Sequence, residues 1–206
     1  MKFVNPYWWD SDNEERKKLR IKRTLIFIGD RNLGKVLNIG SAPQSEEMFR
    51  NMYDGNIIKL DSTIGDLDVV TFDNERYDTY DTILFFEVIE HLFNPLHCLL
   101  NIRKVMSDNG RIYLSTPIRP FWMRNRKNHF HEFQDNSLEN LLKRAGFEVL
   151  KKKKLRNRPV LQCFKGFRSF LRIFFDKSVL MECKKVGIPK VIPVINYSMT
   201  SDSGTS

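Results

Sequence analysis

Short apolar runs, each closed by a glycine, a carboxylate or a proline, alternate along this chain with stretches of helical spacing. Val36 to Ile39 is the first such run, and Gly40 follows at once. Its continuity and length predict a buried parallel strand. Ser45 to Tyr53 then reads as a helix with Met48, Phe49 and Met52 on one face. Ile57-Ile-Lys-Leu-Asp61 repeats the strand pattern and ends in a carboxylate; Thr82 to Phe86 and Arg111 to Pro117 are the third and fourth strands. Ahead of them, Ser11-x-x-Glu14 has capping-box spacing, and a helix over 11–29 carries Leu19, Ile21, Leu25 and Ile28 to a stop at Gly29. Asn94-Pro95 opens another helix, with Leu96, Leu99, Leu100 and Val105 inward and Asn109-Gly110 as its predicted end.

The second half continues the alternation. Asp135 or Ser137 can cap a helix over Leu138–Ala145, which Gly146 ends. Phe147 to Leu155 reads as a strand whose Lys151-Lys-Lys-Lys154 run belongs at a sheet edge. Phe164 to Phe175 has the pattern of a basic amphipathic helix, and Leu180 to Val186 that of a last strand. Strands alternating with helices predict an α/β architecture: a doubly wound, mostly parallel sheet with helices on both faces.

Composition narrows the class. A chain of 206 residues, 41% hydrophobic and 29% charged, suits one globular domain, taken here as residues 1–195 with a disordered tail over 196–206. No apolar run has the length of a membrane span, and Met1 to Pro6 lacks an apolar signal core. Cys98, Cys163 and Cys183 are far apart and in no metal-ligand spacing. They read as buried free thiols in a reducing cytoplasm, with no metal site expected. Charge is uneven: residues 119–206 hold 19 Lys and Arg against 7 Asp and Glu, while residues 1–118 hold 15 against 18. The basic half suggests an anionic partner or a solvated basic face.

Candidate chemistry gathers where strands end. Gly40 allows a ligand close to the backbone, and Ser41 and Ala42 leave room beside it. Asp61 lies about twenty residues further on, where such folds place an acid on ribose hydroxyls. Glu90 and His91 follow the third strand, suited either to ligand contact or to satisfying loop amides. After the fourth strand, Arg119, Arg124, Arg126 and Lys127 interleave with Phe121, Trp122 and Met123, the make-up of a substrate lid over about 118–133.

The run Tyr80-Asp-Thr-Ile-Leu-Phe-Phe-Glu-Val-Ile-Glu-His-Leu-Phe-Asn-Pro95, set behind the Val36–Ala42 turn, resembles the class I S-adenosylmethionine-dependent methyltransferases. Trp8-Trp9-Asp10 with Arg20 is similar to the ubiquinone-type O-methyltransferases, in which the arginine meets the cofactor carboxylate. The resemblance implies a Rossmann-like fold with the last strand antiparallel, and S-adenosylmethionine as cofactor. It implies cofactor contacts from Arg20, Asn38, Gly40, Ser41, Ala42, Asp61, Ser62, Phe86, Glu87 and His91. Asp66 and Leu67 fall where the related enzymes hold the adenine. One departure stands out: the family's Asp/Glu-x-Gly-x-Gly-x-Gly is here Asn38, Gly40, Ala42 and Gln44.

Methyl transfer to an oxygen of a small molecule or glycan of anionic character is the implied reaction, with Arg119, Trp122, Arg124 and Arg126 on the acceptor. Other readings are a nucleic-acid methyltransferase, a non-catalytic binding protein that kept the fold, and a peripheral membrane enzyme using the 164–175 helix. A hydroxyl acceptor must lose a proton, and histidine titrates near neutral pH. His129 is the first choice of base, His131 the second and His91 the third, with loop-orienting roles as the alternative; His97, inside a helix, reads as structural. An extended 129–133 segment would set His129 and His131 on one face and turn Glu132 away from both.

Overall fold

A computed structural model describes residues 11–40, 49, 57–59, 66–72, 79–118, 128–156 and 177–187. The described elements are helix α1 (Ser11–Ile28), strands β1 (Val36–Ile39), β2 (Ile57–Lys59) and β3 (Tyr80–Phe86), and a 3-10 turn at Ile89–His91. Helix α2 (Pro95–Lys104), strand β4 (Met106–Ile118), helix α3 (Asp135–Arg144) and strands β5 (Phe147–Arg156) and β6 (Lys177–Lys185) complete them. The predicted helices at 45–53 and 164–175 and the tail at 196–206 lie outside the described residues, apart from Phe49.

The strands form one sheet in the order β2-β1-β3-β4-β6-β5. β1 pairs parallel with β2 and β3, and β3 parallel with β4, whereas β6 runs antiparallel to both β4 and β5. The expected doubly wound, mostly parallel sheet is therefore observed. Alternation sorts the two faces. Leu37, Ile83, Phe85, Ile112, Leu114 and Met181 point to one, where they meet Leu99 and Ile102 of α2 and Leu138 and Leu142 of α3. Val36, Leu84, Tyr113 and Leu180 point to the other, under Leu25 and Ile28 of α1 and the ring of Phe49. Each fully buried leucine or isoleucine of this kind contributes roughly 1.5–3 kcal/mol against exposure. Central strands covered on both faces are mostly apolar, which is why Ile83 to Phe86 of β3 reads as an unbroken run and β1 is interrupted only by Asn38.

Local chemistry places the elements. Pro95 is the first residue of α2, and Asn94 caps it by accepting from His97 N at 3.1 Å. Asp68 accepts from Phe93 N at 2.9 Å and Asn94 N at 2.7 Å, tying the 66–70 turn to the same helix end. The sequence reading ended α2 at Asn109-Gly110, but the helix stops at Lys104. Tyr80 N donates to Val105 O, and Met106 already pairs with Tyr80, so β3 captures the chain early. Asn109-Gly110 falls where the register jumps between Tyr80–Met106 and Thr82–Arg111, a bulge and not a cap. At α3 the helix begins at Asp135, and Ser137 closes it from within by accepting from Gln134 N at 3.0 Å.

The lysine run is an edge strand, as expected. All four lysines are exposed. Lys151 reaches the α1 side, donating to Phe27 O at 2.7 Å with its ammonium over the Phe27 ring. Lys152 and Lys154 turn to the α3 side, where they pair with Glu139 and Asp135. At the amino ends of the strands Glu182 is buried between the guanidinium groups of Arg31 and Arg111, which raises the Arg31 pKa and, with burial, that of Tyr113. Cys98 and Cys183 are buried free thiols, as expected; burial pushes the Cys98 thiol up to about 12. Cys163 lies outside the described residues.

Candidate active site

Strand order reverses at β1: β2 lies on one side of it and β3 on the other. In open α/β sheets the connections then leave in opposite directions, and a crevice opens at the carboxyl ends of those two strands. A hollow of about 350 Å³ at the amino ends, lined by Asn32, Asp81 and Arg111 among others, is on the wrong side of the sheet for that geometry.

β1 runs into the crevice through Asn38 and Gly40. Gly40 has φ +78°, and a Cβ there would stand 2.2 Å from Val88 Cγ2, so conformation and space both demand glycine. Asn38 is fully buried, yet its amide nitrogen and oxygen make no hydrogen bond. An unmet buried polar group costs about 1–3 kcal/mol, so a polar partner here would recover free energy.

β3 ends at Phe86, whose ring stacks on Phe49 at 5.7 Å. Glu87 follows with φ +57°, a left-handed conformation that is costly for a residue with a side chain. Three bonds hold it there. Its N–H donates to Ser115 O at 2.9 Å, Ser115 Oγ donates to Oε1 at 2.8 Å, and Arg20 Nη1 donates to Oε2 at 3.0 Å. Arg20, expected on a cofactor carboxylate, is thus held at the crevice by a protein carboxylate.

The 3-10 turn then carries Glu90 and His91. The Glu90 carboxylate is 2% exposed and accepts from Thr116 Oγ1 at 3.0 Å. Its backbone carbonyl accepts from Phe130 N and His131 N, which pins the incoming 128–133 segment. His91 Nδ1 is 2.6 Å from Asn128 O. A carbonyl only accepts, so Nδ1 carries a proton and donates to it. His129 packs edge-on against His91, with ring centroids 4.8 Å apart. Its Nδ1 is 3.6 Å from Glu132 Oε1. This corrects the extended-segment expectation: the chain turns at 128–130, so Glu132 faces His129, while His131 leaves the pair and donates from Nε2 to Phe93 O at 3.2 Å.

Of the residues singled out in the sequence, Arg20, Asn38, Gly40, Phe86 and Glu87 converge on the crevice, and His91 meets His129. Asp66 is exposed in a turn and accepts from Asp68 N at 2.9 Å, while Leu67 packs against the core. His97 is structural, bonded to Val70 O and Asn101. Ser41, Ala42, Asp61, Ser62, Arg119, Trp122, Arg124 and Arg126 lie outside the described residues. Sequence reasoning passed over Ser115 and Thr116, the polar pair at the end of an apolar strand, which hold Glu87 and Glu90.

A family model described as a methyltransferase domain matches residues 13–152. The chain belongs to the methyltransferase-domain family. It is a class I S-adenosylmethionine-dependent methyltransferase, as the Tyr80–Pro95 resemblance implies. Solved structures share the fold at low identity. One belongs to the complex between the Haloferax volcanii Trm112 methyltransferase activator and a methyltransferase: 13% identity, 88% of this chain, 95% of that one, TM-score 0.66. Another is the Burkholderia thailandensis 1,6-didemethyltoxoflavin-N1-methyltransferase with S-adenosylhomocysteine: 13% identity, 85% and 80% coverage, TM-score 0.60. A third is the O-methyltransferase of a Brevibacillus brevis polyketide multienzyme, also with S-adenosylhomocysteine: 15% identity, 85% and 76% coverage, TM-score 0.57. A search of curated proteins found no match. The methyltransferase cofactor fits the residues present in one respect: Asn38 at the crevice holds a buried amide in need of a partner.

Proposed function

We propose that this methyltransferase acts on an oxygen of a small molecule or glycan of anionic character. One observation carries the reading: the turn after β3 bears both Glu87, at the crevice with Arg20, and His91, packed on His129. S-adenosylmethionine supplies a methyl group made electrophilic by its sulfonium. The chain has to hold that group, align an acceptor and take up a proton. Asn38, Gly40, Ser41 and Ala42 would form the cofactor cradle, with Asp61 and Ser62 on the ribose, Asp66 and Leu67 at the adenine, and Phe86 and His91 flanking. Arg20 would exchange its Glu87 partner for the cofactor carboxylate.

On the acceptor side, Arg119, Arg124 and Arg126 would select an anion through paired donors, and Trp122 would cover it. His129 would take the proton through Nε2, its Nδ1 steadied by Glu132; His131 is the second choice. A nucleic-acid acceptor is less favoured, because two lysines of the β5 run are already paired with Asp135 and Glu139. Among the described residues no helix is long and apolar enough to cross a membrane. We place the enzyme in the cytoplasm on its buried free thiols.

The test is methyl transfer from labelled S-adenosylmethionine to three acceptor pools: anionic hydroxylated small molecules, glycans and nucleic acids. Product in the first or second is expected, and replacing Arg119 and Arg124 together should raise the acceptor KM and spare cofactor affinity. Product in the nucleic-acid pool alone overturns the acceptor assignment. Cofactor binding without product in any pool favours a non-catalytic role.

A further inference from the structure

Among the described residues the large apolar side chains left in water are Ile26, Val69, Phe93, Phe130 and Leu150. Three of them gather at the carboxyl ends of the strands. Phe93 and Phe130 stack with ring centroids 3.7 Å apart, and they are 68% and 52% exposed. Val69, 73% exposed, follows Asp68, whose carboxylate accepts from Phe93 N. An exposed apolar patch of this kind marks a surface with a partner.

Hydrogen bonds hold both segments in place without help from the rings. Phe130 N donates to Glu90 O at 2.9 Å, and Phe93 N donates to Asp68 at 2.9 Å. Phe133, three residues after Phe130, is the ring that this segment commits to the core. Charge indicates the occupant. Residues 119–127 contain Arg119, Arg124, Arg126 and Lys127 and no acid, with Phe121, Trp122 and Met123 among them. Both ends of that stretch are tied beside the aromatic pair: Ile118 bridges to Phe133, and Asn128 O accepts from His91 Nδ1. Arg124 is four residues from Asn128, and the other three cations are nearer to one end or the other. Chain length alone therefore keeps all four within about 15 Å of a tied end. The acids nearby are engaged: Asp68 by Phe93 N and Asn94 N, and Glu132 beside His129.

We propose that Val69, Phe93 and Phe130 form a docking surface for an anionic lipid bilayer. Aromatic rings enter the boundary between headgroups and acyl chains, and clustered cations are drawn to anionic headgroups. Neither signal alone holds a protein to a membrane; an apolar patch beside a basic stretch supplies both. The face is an exposed ring pair and not a groove or an unpaired strand, so it offers a peptide little to hold. The 128–133 segment borders the proposed acceptor side, so a docked enzyme would meet acceptors that reside at the bilayer. The docking surface itself does not depend on that reading.

The experiment sediments the full-length chain with vesicles of phosphatidylcholine alone and with vesicles of equal parts phosphatidylcholine and phosphatidylglycerol. Binding to the mixed vesicles is expected, weakened by salt, with little binding to phosphatidylcholine alone. Phe93→Ser together with Phe130→Ser should weaken it about tenfold or more and leave the unfolding temperature nearly unchanged, because both rings are exposed. Ile26→Ser, on α1 across the sheet, should change neither. No binding to the mixed vesicles, or binding that the double variant leaves intact, overturns the proposal. A marked fall in the variant's unfolding temperature also overturns it, since the chain itself would then cover the rings. In the absence of vesicle binding, self-association or retention of single-stranded RNA through the same two rings assigns the face to a second copy or to nucleic acid instead. Methyl transfer is not measured, so failure here leaves the methyl-transfer reading standing.

Discussion

Arg20 on the first helix donates to Glu87 at 3.0 Å, across 67 residues of sequence. The pair fastens α1 to the end of β3 at the place where Glu87 holds a left-handed backbone. Half-exposed ion pairs contribute little by themselves, about 0–1 kcal/mol. The relationship therefore matters for what it positions: a guanidinium at the mouth of the cofactor crevice, balanced by a carboxylate that Ser115 also holds.

The strained backbone at Glu87 gives the first prediction. Glu87→Ala and Glu87→Gly lose the same carboxylate, but only alanine keeps a Cβ at φ +57°. The glycine variant should be the more stable by about 1 kcal/mol. Paired urea denaturation curves would show it. Equal midpoints would mean that the left-handed conformation is not maintained in solution.

Gly40 is the second. Gly40→Ala adds a methyl 2.2 Å from Val88 Cγ2 at φ +78° and should cost about 2–4 kcal/mol, together with cofactor binding. Placing Val88→Ala in the same chain removes the clash and not the dihedral penalty. The double variant should recover about half of the loss. Full recovery would show that packing alone demands glycine.

Much of this was legible in the sequence, and the reasons are physical. β1, β3 and β4 are covered on both faces, so their apolar runs stand out without any alternation, and the lysine-rich β5 announced itself as an edge. The errors came from ambiguous local signals. Asn109-Gly110 suits a helix end and a strand bulge equally, and only pairing with Tyr80 decides between them. The orientation of Glu132 depended on whether residues 128–130 turn, which is settled by two amides bonded to the distant Glu90 carbonyl. Likewise, Ser115 and Thr116 look like ordinary strand residues until Glu87 and Glu90 arrive beside them.

The third prediction concerns Glu182, which is 2% exposed between Arg31 and Arg111. With either arginine present the carboxylate keeps a partner, so Arg31→Met and Arg111→Met should each cost little. Together they leave a buried charge unpaired, at roughly 3–5 kcal/mol. Chemical denaturation of the two single variants and the double measures the non-additivity. Additive small losses would mean that water reaches Glu182.

The cofactor crevice is tested most directly by titrating S-adenosylhomocysteine into the wild type and Asn38→Leu by calorimetry, with thermal unfolding of both. Asn38 is buried with its amide unmet, so an apolar side chain of similar size should be tolerated or should stabilise the fold. The same change removes the polar group that the cofactor would use. The account predicts one site in the wild type, and at least tenfold weaker binding in a variant of equal or greater stability. A folded wild type that takes up no S-adenosylhomocysteine, or an Asn38→Leu variant that binds it as tightly as the wild type, would contradict it.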